Sequence, residues 1–394
     1  MDDHATVYWW LRQTTTPPAP PPSGLVGPLR LATGDLGFAD DRGSVLPVFC
    51  HAGDLLALYR QDQAWACAEL DDIAAAGYYG VRTWTQLWGP YWEALGRVVG
   101  PWQVGYWVAV EEFALALRAR GLRWMVSQGG VRADHPAFMR AMAAALLGAG
   151  GLEVVATVDG GNEAWQTGEP DAGRLREAVN AFRGVLTVPV WSLTSPPGEM
   201  QEELDRYSGS VCDIHGYRGG HVWDKVRHAF SVAYEQLPAC RFGIQSEPPG
   251  PGGLVSVTEN QHELDGHAMA LLSAMHLMSR QATVFFSSPG VSCRSRGEFS
   301  RQPGFIEVPA LVRRLRPDLM SYRTICHGGT AWKGKRVFVA EGNVRADHAI
   351  ADNGDFMCLI YGPPGESRNV PRERACEFTE IPNTHGRIVV GHIN

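Results

Sequence analysis

The chain has 394 residues, 45% of them hydrophobic and 20% charged, which describes a globular protein with a large interior and not a disordered or fibrous one. A formal net charge of -7 with its 35 basic residues scattered argues against a nucleic-acid partner, because phosphate binding needs a dense Lys/Arg face. No apolar run approaches the ~20 residues of a membrane span, so no membrane-crossing segment is expected.

The first residues, MDDHATVYWWLRQ, begin with acids and lack the basic-then-apolar pattern of a signal peptide, which leaves localisation open. Residues 1–29 read as an N-terminal arm and linker. Tyr8, Trp9 and Trp10 suit either docking on a partner or lying back on the chain's own body, and residues 14–28 carry six prolines and no charge, the composition of a stiff connector. Two short strands joined at Asp40-Asp41-Arg42-Gly43 then suggest a hairpin.

From residue 46 short β-rich runs alternate with amphipathic stretches. The strands expected are Leu46–His51, Gly80–Leu87, Leu122–Gln128, Leu152–Val158, Val185–Leu193, Val211–Tyr217, Cys240–Ser246 and Ala282–Ser288. Between them Ala66, Leu70 and Ile73, and later Leu264, Ala268, Leu271, Met275 and Met278, recur at helical spacing, the last set opening at the capping-box sequence Thr258-Glu259-Asn260-Gln261. Eight βα units imply a parallel sheet closed into a (β/α)8 barrel, here assigned to residues 30–330 with the hairpin in front. After a helix over Val308–Arg314 the pattern turns to strands only, Arg336–Glu341, Asp355–Tyr361, Cys376–Ile381 and Arg387–Ile393, giving a small antiparallel β subdomain over 331–394. The eight cysteines show no zinc-type spacing and read as mostly reduced core residues, with an occasional disulfide allowed.

A barrel of this type carries its chemistry at the C-terminal ends of its strands. There the fourth strand runs into Asp159-Gly160-Gly161-Asn162-Glu163, the sixth ends Asp213-Ile214-His215-Gly216-Tyr217, and the seventh ends at Glu247. Arg82, Trp84 and Gln86 alternate on the second strand and so share a face. Glu163 and Glu247 would then face each other across the barrel mouth. Paired carboxylates are what glycoside hydrolysis requires, one to protonate the leaving oxygen and one to attack the sugar or activate water. Asp159 is a rival acid, read instead as shaping the turn before two glycines. His51 closes the first strand at the same end. Five tryptophans between 84 and 107 lie in a connection too long for a minimal loop, and Trp84 or Trp88 on one side with Trp165 on the other would offer flat walls for sugar rings. No metal site and no cofactor are expected.

The Asn162-Glu163 pair after the fourth strand and the lone Glu247 after the seventh resemble the clan A retaining glycoside hydrolases, a resemblance that covers residues 30–330. It implies Glu163 as acid/base, Asn162 as a ligand of the sugar 2-hydroxyl and Glu247 as nucleophile. Tyr217 would hydrogen-bond the nucleophile, Arg82 would sit beneath it, and His215 would be a site residue. Many clan members have a tryptophan closing the eighth strand; this chain has Phe285-Phe286-Ser287-Ser288-Pro289 there. The leading expectation is a retaining β-glycosidase acting on an oligo- or polysaccharide. A barrel that binds glycan, or serves as a structural or attachment part of an assembly without turnover, is the alternative.

Overall fold

The computed structural model of the chain describes residues 27–32, 37–129, 135–163, 171–188, 190–192, 203, 207, 211–216, 219–235, 242–248, 250, 264–315, 324–326, 331–332, 335–336, 343–351, 353–363 and 376–393. Tyr8, Trp9, Trp10, Trp165, Tyr217 and the stretch Thr258–Gln261 lie outside the described residues.

Three short strands come first, β1 (Arg30–Leu31), β2 (Phe38–Asp40) and β3 (Gly43–Val45), paired antiparallel. The turn between β2 and β3 is fixed by Asp40, whose carboxylate accepts from the Arg42 N–H at 2.8 Å. The same buried carboxylate lies 3.5 Å from Arg123 at the start of a barrel strand, and Phe38 packs on Phe242 at the start of another. The hairpin therefore plugs the N-terminal end of the barrel, the end that serves stability and leaves the other free for chemistry.

The barrel strands are β4 (Val48–His51), β5 (Gly80–Trp84), β6 (Arg123–Ser127), β7 (Val155–Asp159), β8 (Trp191–Ser192), β9 (Val211–His215), β10 (Phe242–Glu247) and β11 (Gln281–Phe285). Every paired neighbour is parallel, in the order β8-β7-β6-β5-β4-β11-β10-β9, with β8 and β9 meeting at the seam. All eight expected strands are present, with ends displaced by a few residues. Val185–Leu193 contracts most, to Trp191–Ser192 among the described residues.

Helices clothe the strands, and two show why they form where they do. Gln63–Ala76 is capped by Asp62, which accepts from the Trp65 N–H, and buries Ala66, Leu70 and Ile73 against the sheet. Gly266–Met278 starts later than the sequence suggested: its cap is Asp265, accepting from the Ala268 N–H at 2.8 Å. It is apolar on nearly all sides because the barrel covers one flank and the C-terminal sheet the other.

That sheet has the order β12-β15-β16-β18-β17, all antiparallel, from β12 (Thr324–Cys326), β15 (Arg345–Ile350), β16 (Asp355–Tyr361), β17 (Cys376–Pro382) and β18 (Gly386–Ile393). A two-stranded ribbon, β13 (Ala331–Trp332) and β14 (Lys335–Arg336), stands apart. Along β16 the side chains divide by period two: Met357, Leu359 and Tyr361 join the barrel core, while Phe356, Cys358 and Ile360 build a second core with Val389. Strand Arg345–Ile350 was not read from the sequence, and the strand expected over Arg336–Glu341 is described only at its first residue. Among the described cysteines, Cys50, Cys67 and Cys293 are free, whereas Cys212 is disulfide-bonded. No helix among the described residues is long and apolar enough to cross a membrane.

Candidate active site

The mouth of the barrel is organised around one cation. Arg82, inward-facing on β5 and fully buried, directs Nη1 to Glu247 Oε1 at 3.1 Å and Nη2 to Asn162 Oδ1 at 2.5 Å. Nη2 also lies 3.5 Å from Asp159 Oδ2, and Nη1 lies 3.4 Å from His51 Nδ1. An arginine N–H can only donate, so His51 Nδ1 is the acceptor and its ring proton sits on Nε2. Burial alone would lower the Arg82 pKa; the charges of Glu247, Asp159 and Asp213 outweigh it and raise the value.

Each carboxylate reaches the centre by a local departure from regular structure. The ladder between β9 and β10 slips in register between Gln245 and Glu247, a bulge at Ser246 that re-aims Glu247 into the barrel. Glu163, just beyond β7, adopts φ 44°, a left-handed conformation that non-glycine residues seldom take and that costs on the order of 1–3 kcal/mol. The turn before it is tied down twice. The Gly161 N–H donates to Asp159 Oδ1 at 3.1 Å, and the Asn162 N–H donates to the Gln128 carbonyl at 3.1 Å.

His215, closing β9, bridges the two. Its Nδ1 lies 3.0 Å from Glu163 Oε1 and 3.7 Å from Glu247 Oε2. Since both partners are carboxylates, Nδ1 carries the proton and donates to Glu163. Burial pulls the His215 pKa down, but Glu247, the hydrogen bond to Glu163 and Asp213 together raise it above the ordinary histidine value. The charged imidazolium therefore adds stability that is fully present below the ordinary value and fades as pH rises through the raised one. Wild type should exceed His215→Gln in melting temperature at pH 5.5 by more than at pH 9; a margin that is flat or grows with pH would contradict the ion pairing.

The nearest ligand-type atoms of Glu163, His215 and Glu247 all lie within 4.8 Å of one another. The sequence showed no metal-type spacing because these residues come from separate strand ends, yet the fold brings together a group of the kind that can hold a divalent ion. Its chemistry favours another use. A guanidinium 3.1 Å from Glu247 opposes a second cation.

The aromatic residues divide. Trp84 is buried, its ring edge-on to His51 at 4.9 Å and to Trp92 at 5.8 Å. A Cβ on Gly53 would fall 2.6 Å from that ring and one on Gly129 3.0 Å from the Trp84 Cβ, so both neighbours must be glycine for the indole to sit there. Trp84 thus stands behind His51. Trp88 pairs with the exposed Trp102 on the connection after β5, at 6.1 Å. Tyr106 and Trp107 are core residues of helix Tyr106–Ala119. Two contributors were missed. Phe286, half-buried, stacks on His51 at 4.7 Å and 24°. Asp213 accepts from Ser246 Oγ and feeds its charge to Arg82 and His215. Asp213 lies two residues before His215 on one strand, so period two alone would have put both on the inner face.

The structure therefore gathers Arg82, Asn162, Glu163, His215, Glu247, His51 and Trp84, sets Trp88 beside Trp102, and has Tyr217 and Trp165 outside the described residues. No protein-family model matches the sequence, and no curated protein matches it. Solved structures do. A glycoside hydrolase superposes with TM-score 0.59 at 12% identity over 85% of this chain and 83% of its own. A glycoside hydrolase family 5 protein from Bacteroides vulgatus gives 0.58 at 11% over 93% of each. A β-glucanase from Saccharophagus degradans, solved with cellotetraose, gives 0.51 at 13% over 78% of this chain and 97% of its own. At these identities the likeness is one of fold: the chain has the (β/α)8 barrel with a C-terminal β subdomain found in these glycoside hydrolases.

Proposed function

We propose that the protein is a retaining glycoside hydrolase that cleaves β-glycosidic bonds of an oligo- or polysaccharide by double displacement. The observation that carries this reading is the closeness of Glu163 and Glu247, whose nearest oxygens lie within 4.8 Å. Retaining enzymes hold their carboxyl groups about 5–5.5 Å apart, whereas inverting ones need about 6.5–9.5 Å to admit a water between carboxylate and sugar. The fold likeness to glycoside hydrolases supports the same reading.

In this mechanism Glu247 attacks the anomeric carbon. Arg82 lies 3.1 Å from it as a counter-charge, and the Glu247 side chain is only 8% exposed, shielded from competing water. Glu163, at 29% the more open of the two, protonates the departing oxygen and then deprotonates the water that releases the sugar. His215 donates its Nδ1–H to Glu163 Oε1 and holds that side chain toward the nucleophile. Asn162, its carbonyl oxygen turned to Arg82, presents its amide N–H groups to the sugar 2-hydroxyl. Phe286, half-buried and backed by the buried His51 on which it stacks, offers the flat wall of the innermost sugar site, a part the sequence assigned to tryptophans.

The test is turnover and stereochemistry. Purified protein should hydrolyse members of a panel of aryl β-glycosides and plant, fungal and bacterial glycans, and proton NMR of the first product should show the β anomer. An α product, or no turnover across the panel, would sink the assignment.

A further inference from the structure

Arg82 is gripped by three side chains, Glu247 on Nη1 and both Asn162 and Asp159 on Nη2, and the mechanism above leaves the last of them unused. Opposite Glu247 stands Asp159, fully buried at the end of β7. Its Oδ2 lies 3.5 Å from Arg82 Nη2 and accepts from Ser127 Oγ at 2.8 Å, while Oδ1 accepts from the Gly161 N–H at 3.1 Å. One carboxylate thus touches both the cation behind Glu247 and the turn that ends in Glu163 with its left-handed backbone. Around it face Arg82 from β5, Ser127 from β6 and Asp213 from β9, with Glu247 on the other nitrogen of Arg82 and His135 Nε2 2.9 Å from the neighbouring Gly160 carbonyl. His215 and Glu163 lie beyond Glu247.

Its position is unfavourable for an acid. Burial, and then the negative charge of Asp213, push its pKa up, against the pull of Arg82, Ser127 and Gly161. Asparagine would fit the same space and keep an acceptor for Gly161 without a buried charge. An acid retained where its charge is disfavoured points to work done by that charge.

We propose that Asp159 is the positioning residue that sets the two carboxylates in register, fixing Glu247 through Arg82 and Glu163 through the Gly161 turn. This rests on the glycosidase reading for its catalytic consequence but not for its geometry. Ionised, Asp159 holds Nη2 so that Nη1 lies along Glu247; protonated, it releases the fork.

Asp159→Asn and Asp159→Ala separate this from a structural role. With an activated aryl glycoside, Asp159→Asn should lower kcat about 10- to 100-fold, the cost of a misplacement of about 1 Å, with KM within about threefold. The acid limb of its pH profile should move to lower pH, because the raised titration of Asp159 is then gone. Its melting temperature at pH 8 should be no lower than that of wild type. In a crystal structure of Asp159→Ala, Arg82 should leave Glu247 and Glu163 should leave the left-handed region. Wild-type kcat with an unmoved acid limb in Asp159→Asn, or both carboxylates unmoved in the Asp159→Ala crystal, would overturn the proposal. A wild-type enzyme inactive on every glycoside defeats the glycosidase reading separately, and the crystal structure still decides the geometry.

Discussion

Glu247→Ala should lower kcat on an activated aryl β-glycoside by about ten-thousand-fold or more, the scale on which removal of a covalent nucleophile acts. Glu163→Ala should behave differently. A leaving group that departs without a proton makes the first step insensitive to Glu163, so kcat on a dinitrophenyl glycoside falls through the second step only, where the base is missing. On natural oligosaccharides both steps suffer, and the loss should reach about 10²- to 10⁴-fold. Added azide needs no base: it should restore turnover of the dinitrophenyl substrate by Glu163→Ala as the β-glycosyl azide, whereas in Glu247→Ala it can act only from the emptied nucleophile pocket, displacing dinitrophenolate to give the α-glycosyl azide. The measurement is kcat for both variants on both substrates with and without azide. Equal losses on the two substrates, with no azide effect, would remove Glu163 from the acid/base role.

This asymmetry follows from where the side chains sit, and the sequence disclosed the positions more readily than the contacts. The βα period is a property of chain order, so eight alternating runs suffice to expect eight parallel strands, and strand ends name the residues at the mouth. What failed was local. Arg345–Ile350, with Arg345, Asp347 and His348 in its six residues, has no apolar alternation, yet it forms a central strand. Asp347 is buried there because Tyr361 across the strand donates to it and Arg345 lies 3.3 Å away. Partners 14 residues apart cannot be seen in a window that reads hydrophobicity. Helix Gly266–Met278 was started at the wrong cap for a related reason: an apolar stretch covered on both sides has no polar face to mark its first turn.

In the site, residues identified by position were placed together, while those acting through another residue were overlooked. Asp159 was read as a turn former, and it does accept from the Gly161 N–H; its contact with Arg82 depends on three strands curving into one cylinder. Phe286 was noted only as a departure from tryptophan. Phe285 points into the outer core against Tyr78 and Phe305, so Phe286, the next residue, must turn to the mouth, where it meets His51.

The hub itself gives the second large effect. Arg82→Met removes the cation from a fully buried set of acids, Glu247, Asp159 and Asp213, and leaves their charges uncompensated; breaking a buried ion pair on one side costs about 3–5 kcal/mol. The Asp159 pKa is already raised, and loss of Arg82, which pulls it down, raises it further. In the variant Asp159 can therefore escape its burial by taking up a proton, and the penalty should shrink on acidification: urea denaturation should show a larger stability loss at pH 8 than at pH 5. Arg82→Lys restores a positive charge but not the fork that reaches Glu247 with one nitrogen and Asn162 with the other. It should recover much of the stability while kcat stays at least about 10²-fold below wild type, since orientation of the nucleophile is lost. A lysine variant that recovers both would reduce Arg82 to a counter-charge, and one that recovers neither would make the geometry of the fork essential to folding as well as to chemistry.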